Sequence, residues 1–324
     1  MLQGKARAYT NIALIKYWGK KDEDLIIPMN SSLSLTLDAF YSETQVTFDP
    51  QLTEDIFYLD GNLETGKSSE KTSQFLDKIR QIANIKTFAK IESQNCVPTA
   101  AGLASSASGL AALAGACNAA LELNLSEKDL SRLARKGSGS ACRSIFGGFA
   151  EWVKGDSDEN SFAESIAADG WEDELAMIFI LINDQAKDVS SRDGMRRTVL
   201  TSPFYQGWLT AVTEDLATTK TAIATKDFTL LGATAEANAL KMHATTLGAN
   251  PPFTYWSPDS LFAMNQVRQL RQQGYDCYFT MDAGPNVKIL TKKSQVPALL
   301  QELNKVFAKE KLITAQAGPG IQIF

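Results

Sequence analysis

Leu33, Leu35 and Leu37 alternate with Ser34 and Thr36, and this two-residue period predicts a half-buried strand. An extended opening over 4–18 precedes it, with Tyr9, Ile12, Leu14, Ile15 and Tyr17 as apolar positions. Further strands are expected at 44–48 and 55–59, with Asp60-Gly61-Asn62 as a turn. A helix is expected over 69–83 and a strand over 88–91. The Ala/Leu-rich stretch 110–123 has strong helix propensity. Ser126-Glu127-Lys128-Asp129 approximates a capping box for a helix ending near Gly137. Gly147-Gly148 opens a strand through Val153, and 155–173 reads as an acidic, exposed connection. An apolar strand follows at 176–183. Helical patterns then cover 191–199, 203–225, 227–247 and 257–273. Strands follow at 276–281 and 287–290, an amphipathic stretch at 296–308, and short strands at 311–315 and 320–324. Mixed strands early, then helices, then strands, is an α+β pattern.

The 324 residues suffice for one large or two ordinary domains with filled cores. Apolar content of 44% and charged content of 21% are ordinary for a soluble globular protein. The N-terminus lacks a basic segment followed by a continuous apolar stretch, and no run of about 18 apolar residues is present. A signal peptide and a membrane span are therefore not expected. Cys96, Cys117, Cys142 and Cys277 are far apart and make no metal-ligand spacing, which suits reduced thiols in a cytoplasmic protein.

A net charge of −5 argues against a general nucleic-acid binder. An acidic protein that handles anions must gather positive charge locally. Lys5, Arg7, Lys16, Lys20 and Lys21, then Arg143, then Lys187, Arg192, Arg196 and Arg197 are the clusters available. His243 is the single histidine, so a Ser-His-Asp or Cys-His triad is hard to build and a multi-histidine metal site is excluded. It reads as structural or peripheral. Proton transfer is left to a carboxylate, lysine, tyrosine or water.

Residues 98–109, Pro-Thr-Ala-Ala-Gly-Leu-Ala-Ser-Ser-Ala-Ser-Gly, run directly into the Ala/Leu-rich helix. A helix start presents free N–H groups and the positive end of the dipole, which suits an anion. Gly102 permits close backbone approach. Ser105, Ser106 and Ser108 offer hydroxyls, where a simple N-cap needs only one. No Gly-Lys-Ser/Thr follows, so this is not a Walker A loop.

This string resembles the phosphate loop of the GHMP kinase superfamily. Four other blocks resemble one family within it, the diphosphomevalonate decarboxylases. They are Ala8 to Lys20, Pro28 to Asp38, Gly137 to Ser144, and Asp282-Ala283-Gly284-Pro285-Asn286. The resemblance spans nearly the whole chain. It implies a two-lobed α+β fold with the active site in the cleft between lobes. The boundary is placed near residue 183, giving an N-terminal lobe of 1–183 with the ATP phosphate loop and a C-terminal lobe of 184–324. The implied reaction is ATP-dependent decarboxylation of mevalonate 5-diphosphate to isopentenyl diphosphate, with ATP and Mg2+ bound and a homodimer as the implied assembly.

Asp282 stands where the apolar strand Tyr278-Phe279-Thr280-Met281 meets a Gly-Pro turn. Alone, such an aspartate can simply bond its own turn. The family places its essential aspartate in this motif, where it can orient or deprotonate a tertiary hydroxyl, or stabilise positive charge at the same carbon. By the same resemblance Arg143 holds the substrate carboxylate, for which a planar guanidinium fork is suited. Lys187 would neutralise the transferring phosphoryl group. Ala13, Tyr17, Lys20, Ser138, Gly139, Ser140, Ser191, Arg192 and Met195 would line the substrate pocket. Ser93, Asn95, Pro98, Gly102, Leu103, Ser105, Ser106 and Ser108 fall on the nucleotide side, with Ser106 a candidate Mg2+ ligand.

Overall fold

The computed structural model describes residues 1–96, 106–182 and 188–324. Among these, the alternating segments build two principal sheets. The larger runs in the order Gln322–Ile323, Leu2–Ile15, Ser32–Phe48, Ala89–Cys96, Ile56–Leu59 and Asn62–Leu63. Phe149–Trp152 pairs with the first part of Ser32–Phe48 and carries Ala163–Ser165 on its other side. The strands expected separately at 33–37 and 44–48 are thus one strand of 17 residues. Residues 32–37 are buried on both faces, Asp38 is exposed, and from Phe40 onward the even-numbered positions point inward. Ser32–Phe48 pairs with Leu2–Ile15 from Leu2↔Phe48 to Ile15↔Leu33. The register shifts between Tyr9 and Asn11 and again between Ala13 and Ile15. Such irregularities bend a strand and re-aim its side chains, and the second lies immediately before Lys16.

The smaller sheet is antiparallel, in the order Cys277–Thr280, Val287–Lys292, Leu175–Ile180 and Leu312–Gln316. Leu175–Ile180 is buried throughout and pairs wholly inside this sheet, although it precedes residue 183. At the other end of the chain, Gln322–Ile323 returns to pair with Leu2–Ile15.

The helices follow their patterns closely. Ser191–Thr201, Tyr205–Thr225, Phe228–Leu247 and Pro258–Gln272 lie within two residues of expectation. Ser126 caps Glu127–Arg135 by accepting from the Asp129 backbone N–H. The amphipathic stretch at 296–308 forms a shorter helix, Val296–Leu303. The acidic connection at 155–173 is only partly exposed. Ala163 and Ala168 are buried, and Trp171 stacks on Phe149 at 6.2 Å between ring centroids. Its charged residues concealed a short apolar set that closes the end of the larger sheet.

One apolar core joins the two sheets. Leu14, Leu35 and Phe40 from the larger pack with Met177, Phe179 and Leu290 from the smaller. The Phe40 and Phe179 rings meet edge to face at 4.9 Å. Burying a side chain of this size stabilises by roughly 1.5–3 kcal/mol, so the relative placement of the sheets is fixed by packing. Helix Ser106–Ala120 lies against Leu2–Ile15 with an alanine-rich face.

Candidate active site

A cavity of about 390 Å3 opens where the sheets meet. It gathers Ala13 from the end of the first strand, Lys16, Tyr17 and Lys20 from the segment that follows it, and Ser138, Gly139, Ser140 and Arg143 from the turn after Glu127–Arg135. Ser191, Arg192 and Met195 come from the start of one helix and Ser106 from the start of another. Asp282 and Lys288 come from the smaller sheet. Every residue predicted for the substrate pocket therefore lines one cavity, together with Asp282.

Asp282 directly follows the strand Cys277–Thr280 and its flanking Met281, a rigid support. Oδ1 accepts from Lys16 Nζ at 2.8 Å, and Oδ2 pairs with Lys288 Nζ at 3.0 Å. The lysine side chains are 3% and 5% exposed, whereas that of Asp282 is 38% exposed and opens to the cavity. Burial alone pushes the Asp282 carboxyl up, but the two ammonium groups outweigh it and hold the carboxyl well below the usual carboxylate range. For Lys16 burial wins over the attraction of Asp282 and lowers its ammonium to about 8. Lys16 Nζ also donates to the Ala13 carbonyl at 2.7 Å. Its backbone is held on both sides: its N–H donates to Asn238 Oδ1 at 2.8 Å, and its carbonyl accepts from Asn30 Nδ2 at 2.7 Å.

Arg143 lies in a 3-10 turn, Gly139–Ile145, and is 2% exposed. Its Nε donates to Ser34 Oγ at 3.0 Å and its Nη1 to Ser32 Oγ. Among the described residues no carboxylate lies within ion-pair distance of it. A buried guanidinium held only by neutral oxygens is an uncompensated charge, and an incoming anion would satisfy it. Burial lowers its affinity for its proton, and Asp282 partly restores it. Gly139 is required by close approach: a Cβ there would lie 2.7 Å from the Trp152 ring and 3.0 Å from Tyr17. Tyr17 packs on Trp152 at 4.7 Å, and its hydroxyl has no partner among the described residues. Gly19 takes φ +105°, and Tyr205 Oη donates to the neighbouring Trp18 carbonyl at 2.7 Å. That anchor fixes the turn carrying Lys20, whose ammonium pairs with Glu23 at 2.6 Å.

The nucleotide-side residues divide. Ser106 begins its helix and faces the cavity. Ser93, Asn95 and Ser108 are not among the lining residues. Ser93 bonds Thr44 at 2.9 Å, and Ser42 donates to Asn95 at 2.7 Å and contacts Ser108 Oγ at 2.9 Å. Their polar atoms serve the junction of sheet and helix. Pro98, Gly102, Leu103, Ser105 and Lys187 lie outside the described residues. Among the described residues no cluster of three or more His, Cys, Asp or Glu is placed to hold a metal ion. The donor chemistry still fits a Mg2+ carried on phosphates, which keeps waters and needs only one or two protein oxygens. Ser106 offers such an oxygen, whereas each oxygen of Asp282 already pairs with a lysine.

Two further expectations meet the structure. Cys142 is fully buried, its thiol pushed up to about 12 by burial, and it donates to the Gly139 carbonyl, so it is a filler. His243 is structural but not peripheral. It is 1% exposed, packed against Tyr255 and Trp256, and within electrostatic reach of Lys16 and Asp282. Of the basic clusters, Lys16, Lys20, Arg143 and Arg192 reach the cavity, whereas Lys5 and Arg7 pair with Glu43 on the larger sheet.

Sequence reasoning counted Lys16 among the basic residues without giving it a role, and passed over Lys288. Lys288 had a readable signal: it is a charge inside the apolar run Val287-Lys288-Ile289-Leu290, where a strand buried on both faces demands a partner.

Known proteins agree with this geometry. Residues 8–163 match the diphosphomevalonate decarboxylase-like N-terminal domain, and residues 176–320 match the mevalonate 5-diphosphate decarboxylase C-terminal domain. The diphosphomevalonate decarboxylase of Ganoderma lucidum is 38% identical over 94% of this chain and 82% of its own. The human enzyme is 35% identical over 88% and 75%. A solved structure of MDDEF in complex with MVAPP, AMPPCP and magnesium is 68% identical, covers 100% of this chain and 99% of its own, and superposes with a TM-score of 0.97. Mevalonate diphosphate decarboxylase from Staphylococcus aureus is 57% identical over 99% and 98%, with a TM-score of 0.98. Both halves of the chain, at these identities and coverages, place it in the diphosphomevalonate decarboxylase family.

Proposed function

We propose that this chain catalyses ATP-dependent decarboxylation of (R)-mevalonate 5-diphosphate, giving isopentenyl diphosphate, ADP, phosphate and CO2. The observation that carries the reading is one cavity holding an ionised Asp282 on two lysines and a buried Arg143 without a carboxylate partner. A 3-hydroxy acid has no carbonyl to accept electrons when CO2 leaves. Phosphorylating the hydroxyl makes it a leaving group, and the electron-poor carbon left behind receives the electrons of the breaking C–C bond.

In this reading Asp282 accepts a hydrogen bond from the tertiary hydroxyl and orients it. A carboxylate held below its usual range is a weak base, so its charge persists and stabilises the carbon that becomes positive. Arg143 holds the substrate carboxylate until the C–C bond breaks. Ser138, Gly139, Ser140, Tyr17, Lys20, Ser191 and Arg192 hold the rest of the substrate and its diphosphate, with Ala13 and Met195 as wall. Ser106 lies on the ATP side and would contribute to Mg2+, which neutralises charge across the phosphates. Ser93, Asn95, Pro98, Gly102, Leu103, Ser105 and Ser108 complete the nucleotide side, and Lys187 the phosphoryl path, on the strength of the resemblance alone.

The division into lobes is proposed to follow sheet membership, with Leu175–Ile180 in the second lobe and Gln322–Ile323 in the first. The resemblance also supports a homodimer and a cytoplasmic location. Among the described residues no helix is long and apolar enough to cross a membrane.

The test is a product balance: purified protein, Mg-ATP and (R)-mevalonate 5-diphosphate, with ADP, phosphate and CO2 quantified together. Equal amounts of all three are expected. ADP without CO2 and phosphate would make the protein a kinase, and no ADP would refute the substrate assignment.

A further inference from the structure

Lys288 lies on Val287–Lys292, every residue of which is buried except the last, half-buried one. Strand alternation puts Lys288 on the same face as Leu290. That face meets the core joining the two sheets, whereas Val287 and Ile289 pack into the core beneath helix Pro258–Gln272. Phe179 and Thr280 are its partners in register on either side. An apolar side chain would fill this position at lower cost, because a buried ammonium must be desolvated. The lysine instead spans to the cavity and ion-pairs Asp282 Oδ2 at 3.0 Å, while Lys16 takes Oδ1 at 2.8 Å. Each carboxylate oxygen keeps a second acceptor position free of its lysine. Two ammonium groups, one on each oxygen, prevent the carboxylate from rotating or swinging onto a single partner.

We propose that Lys288 is a positioning residue for the reaction: by occupying Oδ2 it fixes the plane of the Asp282 carboxylate against the substrate hydroxyl and keeps that carboxylate from collapsing onto Lys16. The proposal rests on the functional reading above. The groups facing the trio are Arg143 across the cavity and neutral His243 from helix Phe228–Leu247. Neither supplies a second carboxylate. Removing Lys288 leaves a one-to-one pair of Lys16 and Asp282, and the carboxylate then gains proton affinity.

The deciding experiment compares wild type, Lys288→Met and Lys288→Arg by the product balance, by kcat and KM for each substrate, and by the ratio of variant to wild-type kcat/KM from pH 5 to 8. The ratio cancels titration of the substrates. Lys288→Met is expected to lose roughly 10–100-fold in kcat, with KM for Mg-ATP within about threefold. Its ratio is expected to show no acid limb above pH 5, because Asp282 keeps the Lys16 ammonium and stays ionised there, so the loss is one of orientation. Lys288→Arg is expected to recover most of kcat and to give a flat ratio. A folded Lys288→Met with near wild-type kcat, or with a loss that arginine does not rescue, overturns the proposal. If methionine does not fold, Lys288→Gln is the deciding variant under the same criteria. Failure of both neutral variants to fold makes Lys288 a structural charge and also overturns it. Absence of turnover in wild type overturns the functional reading itself.

Discussion

Lys16 reaches across the junction of the two sheets to Asp282, Nζ to Oδ1 at 2.8 Å, tying the end of the first strand to a turn 266 residues later. The side chains that make this bond are unequal: the lysine is fully enclosed and the aspartate opens to the cavity. The charge presented to a ligand is therefore the carboxylate, and the lysine acts from behind it. A second lysine does the same for Oδ2.

Replacing Asp282 by asparagine keeps the shape and removes the charge. If the carboxylate orients the hydroxyl and stabilises the developing cation, kcat should fall by about 10³-fold or more, the scale seen when a preorganised electrostatic group is lost. Binding should survive, because Lys16 and Lys288 lose their counter-ion and the pocket becomes more positive toward anions. Turnover of Asp282→Asn measured beside its affinity for substrate and for a non-hydrolysable ATP analogue decides this. Near-normal turnover removes Asp282 from the mechanism.

The Lys16 ammonium, lowered to about 8 chiefly by burial, sets an alkaline limit. Below 8 it is charged and paired with Asp282, and above 8 it loses its proton and the pair dissolves. A profile of kcat/KM against pH should therefore fall on the alkaline side near 8, since this parameter reports the free enzyme. Lys16→Arg should carry the limb to higher pH, because guanidinium does not titrate there. Stability follows the opposite sign. Between 8 and 10.5 the unfolded chain holds a proton that the folded chain lacks, so this group's contribution to stability rises with pH. A wild-type profile flat through pH 9.5 contradicts the assignment.

Arg143→Ala removes the fork that Ser32 and Ser34 hold in place. A hydrogen bond to a charged group contributes about 1.5–3 kcal/mol, which corresponds to about 10–150-fold in substrate KM or in the decarboxylation step. The nucleotide should bind within a few fold of normal. Titration of each ligand separately tests the split; equal losses for both ligands mean that Arg143 is structural.

Much of this was readable from residue order. Leu33, Leu35 and Leu37 announced their strand by alternation, and the long helices of the second half by periodicity and caps. The substrate-side positions were legible because motifs name residue types at fixed spacing, and all of them line one cavity. What the order could not show was long-range. Nothing near Lys16 in sequence marks Asp282 as its partner, because their meeting depends on how two sheets pack. Leu175–Ile180 reads as an apolar strand in either half, and only its hydrogen-bond partners assign it to the smaller sheet. The 155–173 segment reads as an exposed connection because abundant charge masks Ala163, Ala168 and Trp171, which are buried.

The single histidine offers the cleanest probe of the interior beside Asp282. His243 is buried among Tyr255 and Trp256, with the Met281 backbone within hydrogen-bonding reach of its ring. Burial first, then repulsion from Lys16, lowers its pKa to about 3. An exposed histidine titrates near 6.5, so the folded protein should show one imidazole resonance that stays in place from pH 8 to 5. Below 6.5 the unfolded chain takes up a proton that the folded chain refuses, so stability must fall as pH drops toward 3. The loss approaches about 1.4 kcal/mol per pH unit in that window. His243→Phe should flatten this part of the acid-stability curve, because the replacement has nothing to protonate. A resonance that moves with a midpoint near 6.5 would show the ring to be hydrated, and would place water behind the Lys16–Asp282 pair.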